Sequence, residues 1–144
     1  MIVPNKASLV ILSKSENVGL ARLTVATFAS ELDFTLNELE EIKVAVSEAV
    51  TNSIIHGYPG PKQESEIEIR LTINNGQLEI EVEDYGVGIA DLEAVLQPSF
   101  STKDQHMGLG LAFIDSFMDD FRIESELKQG TCVWMKKRPE NKNG

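Results

Sequence analysis

Two neighbouring stretches, EIEIRLTI (66–73) and QLEIEVED (77–84), alternate apolar and polar residues almost without interruption. A period of two puts successive side chains on opposite faces, so each stretch predicts a strand with one dry face and one wet face. NNG (74–76) between them carries the Asn-Gly chemistry of a tight hairpin. A doubly wound parallel sheet buries both faces of its strands and needs continuous apolar runs. The alternation therefore excludes that architecture and calls for a cover on one face only.

Helical patterns in the first half can supply the cover. Val18, Ala21, Val25, Phe28 with Ala29, and Leu32 recur at helical spacing between about Glu16 and Leu32. DFT breaks that helix. Thr35 with Glu38 then predicts a capping box, each side chain serving a backbone N–H at the other position. The second helix places Leu36, Leu39, Ile42, Val46, Ala49 with Val50, and Ser53 with Ile54 on a core-facing stripe. It stops at His56-Gly57, before the loop YPGPKQES.

ASLVILS (7–13) reads as a further strand, and FRIESEL and TCVWMKK, joined by KQG, as a closing hairpin. Helices are expected over 111–121 and, shorter, near 91–96. The expected class is α+β, a two-layer sandwich with helices packed on one face of a mixed, mainly antiparallel sheet. A single domain is expected over 1–138, with 139–144 as a polar tail.

Charge narrows the function. With 23 acidic and 13 basic residues the net charge is −10, which argues against a nucleic-acid binder, since affinity for phosphate backbones comes largely from Lys and Arg. It suits a basic protein partner, or solubility alone. Cys132 is the only cysteine, so the fold has no internal disulfide; within an apolar run it reads as a small buried hydrophobe in a reducing compartment. No apolar run reaches the ~20 residues that span a bilayer. MIVPNKASLV lacks the basic and apolar regions of a secretory signal. The expected location is the cytoplasm, with no membrane association.

The polar residues of the second helix are the first chemical signal. Glu48, Asn52 and His56 recur every four residues and so share a face. That face is either solvated or lines a site. An Asn carbonyl oxygen is a hard ligand suited to Mg²⁺, and Glu48 could take a proton from an attacking hydroxyl or water. His56 is expected simply to end the helix, where its charge would suit the dipole.

Downstream, Asp84-Tyr-Gly86-Val-Gly88 leaves the end of a strand. Asp84 could accept from an exocyclic amine, with glycines letting the backbone approach a flat ligand, or it could only open a loop. Gly108-Leu-Gly110 leads into a helix, whose free N–H groups would make an anion site; a flexible hinge is the plainer reading. Ser101-Thr102-Lys103 precedes it as a polar, cationic step. Neither a Walker loop nor a Rossmann fingerprint occurs.

Taken in order, E-x-x-x-N on a helix, D-x-G-x-G after a strand, G-x-G and a closing Gly-Thr resemble the four boxes of the GHKL (Bergerat-fold) ATPases. Over nearly its whole length the chain resembles their small anti-sigma factor serine kinases. SEAVTNSIIHGY, ADLEAVLQPSFSTK and SFMDDF look most like the sporulation branch that acts on a sigma factor of the sigma F type. The resemblance implies ATP (or ADP) and Mg²⁺ as ligands, capture of a sigma factor, and phosphorylation of a serine on an anti-anti-sigma partner.

The same resemblance implies that Glu48 is the base and Asn52 the Mg²⁺ ligand. Asp84 would read the adenine amine, Gly86 and Gly88 shape the base pocket, and Thr131 support adenine recognition. Gly108 and Gly110 would bring amides to the phosphates, under a lid carrying Ser101, Thr102 and Lys103. Arg22 would contact a partner, and the protein would be a homodimer.

One departure stands out: STKDQHMGLG is short and has His106 where relatives often carry an arginine. Histidine lacks the permanent charge and fork of arginine, which bears on the rate of phosphoryl transfer. Two other readings follow. One is a non-enzymatic sigma-binding module with ATP as a structural ligand. The other is a detached ATPase module of a sensor histidine kinase, for which no dimerisation helices are present.

Overall fold

The computed structural model of the chain describes residues 4–59, 65–92 and 105–140, apart from the side chains of Gln105 and His106. Strand β1 (Asn5–Leu12) leads through a 3-10 turn at Ser15–Asn17 into helix α1 (Val18–Ala29). Helix α2 (Leu36–Asn52) runs directly into a five-residue π turn, Ser53–Gly57. Strands β2 (Glu66–Asn74) and β3 (Gln77–Asp84) form the predicted hairpin, followed by α3 (Gln105–Phe117), β4 (Asp120–Glu126) and β5 (Gly130–Lys137).

The sheet order is β1-β2-β3-β5-β4, and each pairing among the described residues is antiparallel. The expected α+β sandwich is what forms, and nothing described makes the sheet mixed. Alternation translates directly into layers. Ile67, Ile69, Leu71, Leu78, Ile80 and Val82 are at most 1% exposed, and Val25, Val46 and Val50 of α1 and α2 belong to the same apolar core. Helix α2 packs against both α1 and α3.

The outer face of the sheet is charged. Arg70 pairs with Glu68 at 2.8 Å, Glu83 at 2.7 Å and Glu81 at 3.3 Å. Such solvated pairs add at most about 1 kcal/mol each. Cys132, expected in the core, lies on this face instead, opposite Glu83 and 3.9 Å from Arg70 Nη2. The alternation of β5 explains it: Thr131, Val133, Met135 and Lys137 point inward, so Cys132 points out. Burial, then the Glu83 and Glu81 carboxylates, push its thiol up to about 11.

Local rules account for the start of α2. Glu38 N donates to Thr35 Oγ1 at 3.0 Å and Thr35 N donates to Glu38 Oε1 at 2.8 Å, the predicted capping box, worth about 1 kcal/mol. Glu38 Oε2 also accepts from Glu140 N at 3.0 Å, tying the segment that follows β5 to this helix start. Glu38 thereby takes the buried place, and Leu36, expected in the core, is 83% exposed.

The helix expected over 111–121 begins at Gln105 and ends at Phe117, because Asp120 is already paired with Lys136 in β4. The short helix expected near 91–96 lies, from residue 93 onward, outside the described residues. No helix among the described residues is long and apolar enough to cross a membrane.

Candidate nucleotide site

Glu48 and Asn52 lie on the flank of α2 that meets α3. A Cβ built on Gly110 would stand 2.7 Å from Glu48 Oε2 and 3.3 Å from Asn52 Nδ2. The missing side chain is what lets α3 lie against these two polar groups. This corrects the reading of Gly108-Leu-Gly110 as a loop before a helix, since both glycines lie within α3. Gly108 is among the first four residues, whose N–H groups a helix leaves unpaired. Gly110 is past them, so it contributes space and no free amide.

Asn52 is 8% exposed, and its Oδ1 has no hydrogen-bond partner among the described residues. A buried carbonyl oxygen left so costs about 1–3 kcal/mol. It is also the hard, neutral donor that Mg²⁺ accepts alongside water and phosphate oxygens. The residue fits that ion.

Asp84 continues the inward series Leu78, Ile80, Val82, and it is 2% exposed. Its carboxylate lands where a fourth apolar side chain would go. Gly86 N donates to Oδ1 at 3.0 Å, and the Ser53 hydroxyl and Thr131 N–H also donate to the carboxylate. Burial raises its pKa above the usual carboxylate range, and the three donors only partly offset this. An ionised carboxylate offers about four lone-pair sites. Three donors leave it able to accept one more, from a group in the cleft.

Thr131 stands opposite Asp84 in the sheet register. Its hydroxyl shares a 2.8 Å hydrogen bond with Ser125 Oγ, which accepts from Ile89 N at 2.7 Å and donates to Gly130 O at 3.2 Å. Thus β4, β5 and the segment after β3 are held together at one end of the sheet.

The glycines here serve the protein's own close approaches. A Cβ on Gly86 would lie 1.9 Å from Gly57 O, and one on Gly57 would lie 2.7 Å from Asp84 Oδ2. Gly57 O also accepts from Val87 N at 2.9 Å. Gly88 has φ +76°, a left-handed conformation, and a Cβ there would meet Glu126 O at 2.3 Å. Gly86 and Gly88 therefore shape the pocket indirectly, by letting the segment after Asp84 lie on the π turn and on β4.

The π turn closes with Tyr58 N donating to Ser53 O at 3.1 Å. Tyr58 Oη then donates to Glu66 O at 2.6 Å and accepts from Tyr85 N at 2.7 Å. π turns are frequent where a helix borders a functional site.

Between α2, α3 and the sheet end runs a cleft lined by Asn52, Ser53, His56, Asp84, Gly88 and Thr131, with Met107 and Leu111 from α3. His56, expected merely to end the helix, is part of this wall. The cavity volume is ≈ 20 Å³, room for little more than a water. Glu48 is half-buried beside Gly110, outside the lining, and Arg22 is exposed on α1. Ser101, Thr102 and Lys103 lie outside the described residues.

The sequence reading missed Ser53, Gly57, Tyr58 and Ser125. Only Gly57 carried a visible signal, as a glycine one residue past the polar stripe. The other three act through partners remote in the chain.

A family model described as a histidine kinase-like ATPase domain matches residues 11–137. An anti-sigma F factor of Clostridium acetobutylicum is 45% identical over 139 residues, 95% of this chain and 96% of that protein. One of Geobacillus kaustophilus is 44% identical over 135 residues, 92% of each. Among solved structures, the RsbU and RsbW domains of a Mycobacterium tuberculosis protein match with TM-score 0.68 at 18% identity, covering 93% of this chain and 32% of that one. The histidine kinase domain of an Erythrobacter litoralis blue-light activated histidine kinase matches with TM-score 0.55 at 16% identity, over 89% of this chain and 61% of that one. These two share the fold. The near full-length relatives share much more, and the chain belongs to the histidine kinase-like ATPase family and, within it, to the anti-sigma F factors.

Proposed function

We propose that this protein sequesters a sigma factor of the sigma F type and, with Mg-ATP, phosphorylates a serine of an anti-anti-sigma protein. The observation that carries the catalytic half is the meeting of Glu48 and Asn52 at Gly110, with Asn52 and Asp84 both in the wall of one cleft. In this reading Asp84 accepts from the adenine amine with its spare lone pair, and Thr131 and Gly88 border the base. Gly108 offers a helix-start amide to the phosphates, and Ser101, Thr102 and Lys103 serve as further phosphate contacts. Asn52 Oδ1 would hold Mg²⁺, which would supply positive charge beside the phosphates.

Phosphoryl transfer asks for positioning and charge stabilisation more than covalent chemistry from the protein. Glu48 orients the partner's serine hydroxyl and takes its proton as the oxygen bonds the γ-phosphorus and ADP departs. Arg22, on the exposed side of α1, serves partner contact. The protein acts in the cytoplasm as a homodimer, each copy a single domain over 1–138.

Glu48→Gln tests the base. ATP binding should persist while the single-turnover rate falls roughly 10²–10⁴-fold; an unchanged rate excludes the role. A second reading, ATP as a structural ligand of a non-catalytic module, draws support from the absence of arginine in STKDQHMGLG. Incubation with Mg-ATP and the cognate anti-anti-sigma protein separates the two: a phosphate's mass on the partner supports the kinase, and none supports the module.

A further inference from the structure

Four exposed apolar side chains gather around Glu48. Val44, Glu48, Thr51 and Ile55 follow helical spacing, so they form one stripe along α2 and the π turn. Val44 is 38% exposed and Ile55 45%. Across from them on α3 stand Leu109, 56% exposed, and Phe113, 38% exposed. Gly110 abuts Glu48, while Met107, Leu111 and Ile114 are buried. That orientation turns Leu109 and Phe113 onto the solvent side of the flank facing α2.

At the far end Lys137 reaches both Glu41 and the Phe117 carbonyl. The two helices therefore run antiparallel, and Phe113 stands nearly level with Val44. Phe113 also stacks on Phe117, with centroids 5.9 Å apart, which holds its ring in place. The result is a shallow groove between α2 and α3, with a carboxylate at its centre and apolar walls.

We infer that this groove docks the phosphate acceptor, a protein segment whose serine lies between apolar residues. The inference rests on the kinase reading above and names the surface that would select the substrate. A carboxylate that takes a hydroxyl proton must touch that hydroxyl. Whatever flanks the serine must therefore cover the surface around Glu48. On a chain of net charge −10 a basic segment would be the default partner, but the walls here are Val44, Ile55, Leu109 and Phe113. They select by apolar contact.

The test uses the full chain with its cognate anti-anti-sigma protein, comparing Leu109→Asp, Phe113→Ser and Val44→Ser with wild type. KM for the acceptor should rise about tenfold in Leu109→Asp, with kcat and ATP affinity within about twofold. Val10→Asp, at a 53% exposed site on strand β1 across the molecule, serves as the control with unchanged KM. Wild type that transfers phosphate while all three groove variants keep its acceptor KM overturns the groove. Loss of sigma-factor capture with an unaltered acceptor KM overturns it too. Wild type that transfers none sinks the kinase reading, and this inference with it.

Discussion

Of the buried charged side chains among the described residues, two stand at opposite ends of the paired strands β3 and β5. Asp84 ends β3, opposite Thr131; Lys137 ends β5, opposite Leu78. Lys137 is 7% exposed. Its ammonium donates to the Phe117 carbonyl at the C-terminus of α3 and lies 3.5 Å from Glu41. It meets a counter-charge and the negative end of a helix dipole, so it fastens three elements together. Asp84 is held by the neutral donors Gly86 N, Ser53 and Thr131 N–H, and burial raises its pKa despite them. A buried charge with an opposite partner is a fastening. A buried charge held by neutral donors, with a lone pair to spare, is poised for a ligand.

The sharpest way to break this comparison is Asp84→Asn. Losing a hydrogen bond to a charged acceptor costs about 1.5–3 kcal/mol, so ATP affinity should fall roughly 10–100-fold, measured by titration calorimetry. At neutral pH two effects oppose each other in the fold: relief of the buried charge, and three protein donors facing an amide oxygen with two lone pairs. Because the folded pKa of Asp84 is raised, the stability linked to its protonation is complete below the ordinary carboxylate value. That stability is lost as pH rises through the folded value. The variant removes this loss, so any stability advantage over wild type should be largest near pH 7 and shrink on acidification. Urea unfolding across that range checks the sign, and an advantage that grows toward acid contradicts it.

At the other end, Lys137→Met should cost about 1–3 kcal/mol of stability, read from urea midpoints, and leave ATP affinity within about threefold. Collapse of both would mean that the two ends are not independent.

Gly110→Ala should move stability least, within about 1 kcal/mol, because helix propensity gains up to that much while the new methyl meets the flexible tip of Glu48 at 2.7 Å and the Asn52 amide at 3.3 Å. Phosphate transfer should drop by more than ATP affinity does. Equal losses in both would detach Gly110 from Glu48.

What could be read in advance follows the range of the interactions. The β2–β3 hairpin and the capping box depend on residues at most a few places apart, and both were legible. So was E-x-x-x-N, a local spacing. The reason for Gly110 lies at Glu48, sixty-odd residues earlier, and the reason for Gly86 lies at Gly57. Local patterns showed that glycine mattered there but not the approach to the chain itself, which depends on partners remote in sequence. The insertion of β5 between β3 and β4 has no local signature either. Cys132 could have been placed on the wet face from the alternation of TCVWMKK, had the inward register been anchored at Thr131 opposite Asp84.

The π turn sets a limit on how this chain can change length. A helix advances about 100° per residue. Deleting one residue within 53–57 would restore a regular helix and swing Gly57 off the Asp84 carboxylate and off Val87 N, the contacts it now makes. Adding a residue would do the same in the other sense. The turn at Asn75-Gly76 connects its hairpin strands away from the cleft, so it can absorb insertions, whereas the turn around Lys128 is tied to the cleft wall by Lys128 N donating to Val87 O at 2.8 Å. Variation in length should therefore collect at the β2–β3 hairpin, and the segment from Glu48 to Gly57 should keep a constant residue count.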